Sequence, residues 1–242
     1  MSPVDRAAHL NRWRNRALAE KALLSLGMLL LTITLPPFPA AALVAAVMTG
    51  TALFGARVPW RLWLGTSLAP MGFALTGALS LLVQWGDGGV SLAPNGLTDA
   101  AALLMRSWAG VSCLLFLSLT TPATDLVAGL RRIGLPAELA EIALLVYRFV
   151  FQLADISAAM HASQAARLGH VGWKRRLRSL GLLAGNLLPR ALDRAHRLEI
   201  GLAARGWHGD MRVLSPKRPA SLPVIAIIVL TQAAIAAAGA FL

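Results

Sequence analysis

Charged side chains are scarce in this chain of 242 residues: only 14% are Asp, Glu, Lys or Arg, whereas 57% are hydrophobic. A soluble domain carries about 25% charged residues, so the composition indicates a membrane protein. Acidic residues are the scarcer sign, since 11 Asp and Glu face 23 Lys and Arg and leave a net charge of +12. A basic excess can indicate nucleic-acid binding. Basic loops beside long apolar runs, however, follow from the positive-inside rule, so we predict no nucleic-acid partner.

Residues that usually carry chemistry are also few. The single cysteine, Cys113, lies in an apolar run and allows neither an intrachain disulfide nor a cysteine-based metal site. The five histidines are scattered, and His208 beside Asp210, the one tempting pair, is interpreted as solvated loop. No P-loop pattern occurs, so we do not expect this chain to bind ATP in that way. We therefore predict no catalytic residue and no metal ligand here.

Long uncharged runs are what the sequence does contain. They cover residues 22–56, 62–86, 107–124 and 219–242. Pro36, Pro37 and Pro39 interrupt the first run, which favours two short spans joined by a turn, because a span needs roughly 20 residues. The span in the run 107–124 either begins at that run or extends back before Arg106. We therefore predict about five transmembrane helices.

The distribution of charge gives an expected orientation. Residues 1–21 contain five Lys and Arg, the loop 57–61 contains two, and residues 121–220 contain fifteen against seven Asp and Glu. The connection 87–99 contains no Lys or Arg. Under the positive-inside rule, the N-terminus and the other basic segments lie in the cytoplasm, and the connection 87–99 and the C-terminus lie outside. Five spans satisfy this alternation.

Four residues are expected near the ends of spans. Trp60, Trp63 and Trp85 stand near the ends of the apolar run 62–86, where an aromatic belt is expected. Arg106 stands in the outer part of the fourth span or just before it. It is interpreted either as an anchor that extends to the outer interface, or as a functional intramembrane arginine that pairs with a partner or faces the bundle.

A basic, helical insert separates the fourth span from the fifth. Pro122 prevents simple continuation of the fourth span. After a short helix that ends near Gly134, the pattern predicts a long helix over 136–168, then helices over 174–188 and 189–206, the last opened by Pro189. The predicted organisation is an all-α membrane protein: N-terminal spans with a basic cytoplasmic N-terminal segment in 1–121, a cytoplasmic or interfacial module of three coupling helices in 122–218, and a C-terminal span in 219–242.

Two short cassettes end helices of this insert: Ala166-Arg167-Leu168-Gly169 and, 38 residues later, Ala204-Arg205-Gly206. The helix macrodipole favours a cation at a helix C-terminus, which explains either arginine alone. The small neighbours leave each guanidinium without steric cover. An uncovered guanidinium suits the carboxylates and carbonyls of a partner. The two cassettes are therefore interpreted either as ordinary helix ends or as elements that dock a partner.

The motifs between residues 100 and 215 resemble a known family in their order and spacing. They are Arg106-Ser107, Thr120-Thr121-Pro122 with Asp125-Leu126, Leu130-Arg131 with Gly134-Leu135-Pro136, Tyr147-Arg148-Phe149, Leu183-Ala184-Gly185, Arg194-Ala195, the two cassettes, and Trp207-His208-Gly209-Asp210. This region resembles the transmembrane T component of energy-coupling-factor (ECF) importers, most closely the cobalt/nickel-type (CbiQ-like) branch. Residues 1–99 match only as hydrophobic spans.

The resemblance implies a non-catalytic subunit of an ATP-driven importer of cobalt or nickel in the cytoplasmic (inner) membrane of a prokaryote, with a link to cobalamin biosynthesis. Arg167 and Arg205 are implied to end coupling helices and to dock into grooves on two ATP-binding cassette ATPases. Leu168 stands where the family has glycine. ATP and Mg are implied to bind the ATPases, and the metal ion a separate substrate-binding membrane subunit (S component), so this chain itself is expected to bind no cofactor.

A stand-alone secondary transporter or a membrane enzyme, without ATPase partners, is the alternative. A secondary transporter is expected to contain intramembrane ionisable residues or an internal repeat of spans. The sequence offers only Arg106 and no repeat.

Overall fold

Helices form most of the computed structural model, which describes residues 3–86, 89–206 and 219–240. The α-helices are α1 (Pro3–Leu10), α2 (Leu18–Thr34), α3 (Ala42–Gly50), α4 (Trp60–Leu81), α5 (Gly96–Thr120), α6 (Ala123–Arg132), α7 (Ala137–Ala166), α8 (Trp173–Ala203) and α9 (Leu222–Ala240). A 3₁₀ turn at Arg12–Asn15 precedes α2, and π-helical turns at Pro37–Ala41 and Thr51–Gly55 flank α3. The strands β1 (Val83–Gly86) and β2 (Gly89–Leu92) pair antiparallel, with Val83 opposite Leu92. The predicted all-α class is confirmed.

Five of the described helical segments are long and apolar enough to cross a membrane: Pro37–Gly55, Trp60–Leu81, Gly96–Thr120, Ala137–Ala166 and Leu222–Ala240. The protein is therefore a multi-pass membrane protein, and the predicted number of spans is confirmed. The set differs from the predicted one. The helix α2 has 17 residues and carries Glu20 and Lys21 near its start. By contrast α7, which we predicted to belong to the cytoplasmic module, is 30 residues long and meets the criteria for a span.

The ends of two predicted spans were wrong. The third, predicted over 62–86, ends at Leu81 because the chain turns into the hairpin of β1 and β2. The fourth, predicted over 107–124, begins at Gly96 and ends at Thr120. Its first turn contains Asp99, whose charge the helix macrodipole favours at that end. The stop before Pro122 is as predicted.

The described residues divide into two compact units, with the division after Gly129. The first unit contains α1 to α5, most of α6, and α9, and in it α5 packs against α1, α2, α3 and α4. Met28, Met48 and Phe116 are fully buried in its core. Trp63 joins this core with 1% of its surface exposed, so its predicted place in an aromatic belt was wrong. Trp60, one turn earlier, is 60% exposed.

Adjacent charged residues of α2 reach the ends of two other helices of the first unit. The Lys21 ammonium donates to the carbonyl of Thr120, the last residue of α5, at 2.9 Å. Glu20 Oε1 accepts a hydrogen bond from the Ser221 N–H, just before α9, at 2.7 Å. A cation at a helix C-terminus and an anion at a helix N-terminus are both favoured by the macrodipole. The starts of α2 and α9 and the end of α5 therefore lie at one end of this unit, which agrees with the alternation predicted from the sequence, in which α2 is the first span.

The second unit is built on two long helices, α7 and α8, which pack against each other. Our prediction of separate helices over 174–188 and 189–206 was wrong, because α8 continues through Pro189. A proline inside a helix costs about 3 kcal/mol, which the helix-forming Leu, Ala and Arg residues on both sides outweigh here. The bounds of α7 agree with the predicted 136–168 to within two residues. The insert thus contains three described helices, α6, α7 and α8.

Candidate coupling site

The first cassette forms a tight turn at the end of α7. The Leu168 N–H donates to the Ala165 carbonyl at 3.0 Å, and the Gly169 N–H donates to the Gln164 carbonyl at 2.8 Å. These two bonds are the pair that defines a Schellman turn. Leu168 has a φ of 57°, the left-handed conformation that favours glycine. Arg167 is therefore the last residue before the backbone reverses, and its side chain projects from the helix end.

The second cassette has a related turn at the end of α8. The Gly206 N–H donates to the Ala203 carbonyl at 3.0 Å, as the Leu168 N–H does to the Ala165 carbonyl. The Arg205 N–H donates to the Leu202 carbonyl at 3.0 Å, as the Arg167 N–H does to the Gln164 carbonyl at 3.2 Å. The counterpart of the bond from Gly169 would start at residue 207, outside the described residues. Gly206 has a φ of 69°. Leu168 and Gly206 are therefore structural equivalents, and each follows its arginine directly. The expectation of glycine at position 168 has a conformational cause, since the third cassette residue adopts a left-handed conformation in both turns.

Both cassette arginines are exposed. Within the described ranges, neither guanidinium forms a side-chain hydrogen bond or an ion pair. Arg197, on the same helix as the second cassette, differs because it pairs with Asp193 at 2.5 Å. Arg167 and Arg205 thus keep their hydrogen-bonding capacity for another molecule. Their predicted small neighbours are also exposed: Ala166, Ala204 and Gly206.

A buried serine ties the first turn to the start of α8. Ser179 Oγ donates to the Gly169 carbonyl at 3.0 Å, and Ser179 is 6% exposed. A Cβ atom on Gly169 would lie 2.7 Å from Ser179 Oγ and 2.9 Å from the Gln164 carbonyl oxygen. Gly169 therefore permits the close approach that holds Arg167 in place. Sequence reasoning missed Ser179, since a serine in a basic helix carries no distinguishing signal.

Large apolar side chains are exposed around the first arginine. Leu168, Val171 and Trp173 have 65%, 57% and 76% of their surfaces exposed. An arginine among exposed apolar groups is a common composition for a protein interface. This surface, Leu168, Val171 and Trp173 around Arg167, suits a partner with an apolar rim and a polar centre.

Arg106 is exposed and contacts another helix of the first unit. One of its terminal nitrogens donates to the Leu35 carbonyl at 2.8 Å, directly after the end of α2. Terminal carbonyls lack partners within their own helix, so the guanidinium caps α2. Both interpretations of Arg106 stay predictions.

The described residues offer no group of three His, Cys, Asp or Glu side chains that could hold a metal ion. His161 and His170 stack with ring centroids 4.3 Å apart, but two rings in parallel contact do not form a chelate. The run Trp207-His208-Gly209-Asp210 lies outside the described residues. That this chain binds no metal stays a prediction.

The spans and the two arginine turns define a class of protein, a multi-pass α-helical membrane protein with exposed cationic helix ends. Residues 10–217 match the CbiQ family model, described as cobalt transport protein. The chain is 55% identical, over all of its 242 residues and 99% of the relative, to the cobalt transport protein CbiQ of Rhodobacter capsulatus. The chain belongs to the CbiQ family of cobalt transport proteins, and the family predicted from the sequence is confirmed.

Two further relatives extend the comparison. CbiQ of Salmonella typhimurium is 30% identical over 227 residues, which cover 88% of this chain and all of the relative. A protein of Methanocorpusculum labreanum whose name describes a fused cobalt transport protein, CbiMQ, is 30% identical over 203 residues. These residues cover 79% of this chain but 34% of that relative. The fused protein therefore contains much further sequence beside its CbiQ-like part.

Proposed function

We propose that this chain is the coupling subunit, the T component, of an ATP-driven ECF importer of cobalt or nickel ions. In this proposal it catalyses no reaction and binds no cofactor. Two ATPase subunits bind ATP and Mg, and a separate substrate-binding membrane subunit binds the metal ion. The complex lies in the cytoplasmic membrane of a prokaryote, with the N-terminus of this chain and the turns that carry Arg167 and Arg205 on the cytoplasmic side.

One observation carries the proposal: two exposed arginines, Arg167 and Arg205, stand on turns of the same geometry at the ends of two long helices. Both turns place the residue after the arginine at a positive φ. Equivalent turns fit equivalent grooves, so the partner is a pair of similar subunits with one arginine for each. A guanidinium forms strong, directional bonds to carboxylates and carbonyls, which suits an anchor that must carry movement.

The long helices give these anchors a lever. The helices α7 and α8 contain 30 and 31 residues, so each is about 45 Å long at 1.5 Å per residue. Closure of the ATPase pair on ATP moves the two anchored ends, and the rigid helices carry that movement along their length. ATP favours one position only by its differential affinity for the two states.

The apolar side of α7 is where the movement reaches the membrane partner. Leu139, Ile142, Val146 and Val150 recur at three or four residues, and each is more than half exposed. Within the proposal, this surface contacts the substrate-binding subunit in the membrane. The name of the fused relative, which joins a CbiQ-like part to another cobalt transport part, supports a membrane partner of that kind.

Co-purification tests the docking role. Tagged wild-type chain and the variant Arg167→Glu/Arg205→Glu are extracted from membranes in mild detergent, and bound proteins are identified. The matched control is Arg175→Glu/Arg178→Glu, which reverses two exposed charges of α8. We expect ATPase subunits with the wild type and the control but not with the cassette variant. Exposed pairs elsewhere contribute only about 0–1 kcal/mol each.

Two outcomes contradict the proposal. Equal loss of the ATPases from both variants indicates a general effect of basic surface. No ATPase with any version favours the stand-alone transporter or the membrane enzyme.

A further inference from the structure

A cavity in the first unit, remote in sequence from the coupling site, contains two arginines. Its volume is about 330 Å³, and its lining includes Arg6, Leu10, Asn11, Arg57, Val58 and Leu62. It lies where α1 meets the loop before α4. Cavities that hold small ligands begin at about this size.

The charge in this cavity is of one sign. Arg6 and Arg57 are the charged residues of its lining, and no acidic residue from the described chain lines it. The nearby acid, Asp5, lies 3.7 Å from His9 Nε2 on its own helix. In the part of the chain that the structure describes, neither Arg6 nor Arg57 has a side-chain hydrogen bond or ion pair. Two free guanidinium groups in one cavity suit an anion with several oxygens, such as a phosphate diester.

The backbone at Arg57 supports a ligand role. Its φ is 55°, a left-handed conformation for a residue that is not glycine. This conformation carries a conformational penalty for any side chain with a Cβ, and glycine would adopt it freely. An arginine at such a position is a reason to look for a function of its side chain.

The surroundings distinguish a lipid from a soluble anion. Leu62 is the third residue of the span Trp60–Leu81, so the cavity lies at the level where that helix leaves the membrane. Leu10 and Trp60 are exposed beside it, at 77% and 60%. Exposed apolar and aromatic side chains at a span end contact acyl chains and headgroups. Basic sites between helices at the cytoplasmic surface bind anionic headgroups.

We propose that this cavity binds the phosphate headgroup of an anionic phospholipid, with Arg6 and Arg57 on the phosphate and Leu10, Val58 and Leu62 along the start of an acyl chain. The bound lipid holds α1 against the loop 57–59. This proposal does not depend on the ATPase partners.

Native mass spectrometry tests the site on the full chain. Delipidated protein in detergent is titrated with phosphatidylglycerol, phosphatidylcholine or inorganic phosphate, and retained lipid is counted. The test variant is Arg6→Gln/Arg57→Gln. The control, Arg12→Gln/Arg132→Gln, removes two exposed arginines that do not line the cavity. Since each basic residue contributes about a fivefold change in affinity for an anionic lipid, we expect roughly 25-fold weaker binding of the tightest phosphatidylglycerol in the test variant and less than threefold in the control.

Arg57→Gly separates ligand loss from misfolding. Glycine adopts the positive φ without strain, so this variant should match or exceed the thermal midpoint of the lipid-free wild type while it binds phosphatidylglycerol about fivefold more weakly. Unchanged lipid binding in Arg57→Gly or in the double variant overturns the proposal. Equal weakening in the control reduces the site to general basic surface. If phosphatidylcholine is retained as well as phosphatidylglycerol, the charge of the lipid is not what the site recognises. If inorganic phosphate displaces phosphatidylglycerol at the same concentration, the site binds a soluble anion instead.

Discussion

Leu168 and Gly206 occupy the same place in two matching turns, yet only one of them is glycine. The third cassette residue has a φ of 57° at Leu168 and 69° at Gly206. A left-handed conformation costs an L-residue about 1–2 kcal/mol, while glycine instead loses more chain entropy on folding, by about 0.5–1 kcal/mol. The first turn is therefore the more strained of the two, although its hydrogen bonds are as short.

Exchanging the residue types at these two positions should change stability in opposite directions. We expect Leu168→Gly to raise the free energy of unfolding by about 0.5–1 kcal/mol and Gly206→Leu to lower it by about the same amount. For a chain of this size, these changes correspond to about 2–4 °C in thermal midpoint per kcal/mol. Thermal unfolding of the detergent-solubilised chain measures both, and shifts of equal sign would show that conformational strain does not distinguish the turns.

At the scale of elements, the junction between α7 and α8 depends on one close approach. Gly169 lies against Ser179, whose hydroxyl donates to the Gly169 carbonyl at 3.0 Å. No side chain larger than hydrogen fits at position 169 without displacing Ser179. The direction of Arg167 therefore depends on Ser179, which lies ten positions after Gly169.

Gly169→Ala should disturb this junction, whereas a matched change in α8 should not. The added methyl group forces apart Gly169 and Ser179, and overpacking of this kind costs about 1–3 kcal/mol. Gly181→Ala is the control because a Cβ there meets no atom within 4 Å, so it should stabilise the helix by about 0.5–1 kcal/mol. Thermal unfolding compares the two, and a loss of stability in both variants would contradict the steric account.

The sequence predicts these elements unevenly, for physical reasons. Apolar periodicity identified α7 to within two residues, because Gly169 and Pro136 mark its ends clearly. Pro189 led to a wrong prediction of a helix start. A proline can stand in the first turn of a helix or inside one that continues, and only the packing of the folded chain distinguishes the two. Trp63 was misplaced for a related reason, since position near a span end does not say which side of the helix faces the bundle.

The sequence predicted the arginines of the candidate site but not the contacts that hold them in place. Arg167 and Arg205 stand out in the sequence because small residues and glycine surround them. The contact between Ser179 and Gly169 depends on how α8 returns along α7, which no local pattern encodes. Likewise, no local signal linked Arg106 to Leu35, 71 residues apart.

For the whole molecule, the hydrogen bonds of Glu20 and Lys21 place the starts of α2 and α9 and the end of α5 at one end of the first unit. The charge distribution predicts that this end is cytoplasmic, and cysteine labelling can test it. Cys113 is the single cysteine and is buried, so labelling of an introduced cysteine reports the position of that cysteine alone. In sealed right-side-out vesicles, an impermeant maleimide should modify Asn95→Cys at once and Asn15→Cys only after permeabilisation. The reverse pattern would invert the proposed orientation.

Lys21 should matter far more to stability than an exposed lysine. It is 1% exposed and donates to the carbonyl of Thr120, so its removal leaves a helix end and its neighbours uncompensated. Leaving a buried acceptor unsatisfied costs about 1–3 kcal/mol. We expect Lys21→Ala to lower the thermal midpoint by about 5 °C and Lys174→Ala, at an exposed site, to change it by less than about 2 °C. Comparable midpoints for the two variants would show that the Lys21 contact is not needed.

The contact between Glu20 and Ser221 also has a consequence for how the protein is made. The carboxylate belongs to the second helix to leave the ribosome, while its partner, 201 residues later, precedes the last. Gln232, within that last helix, likewise donates to the Leu23 carbonyl, 209 residues earlier. During synthesis these two contacts between α2 and the last helix cannot form until translation is nearly complete. Until then the Glu20 carboxylate has only its ion pair with Arg16, one turn earlier, at 3.5 Å. Quality control that removes unfinished membrane proteins therefore has a long interval in which to detect the incomplete first unit.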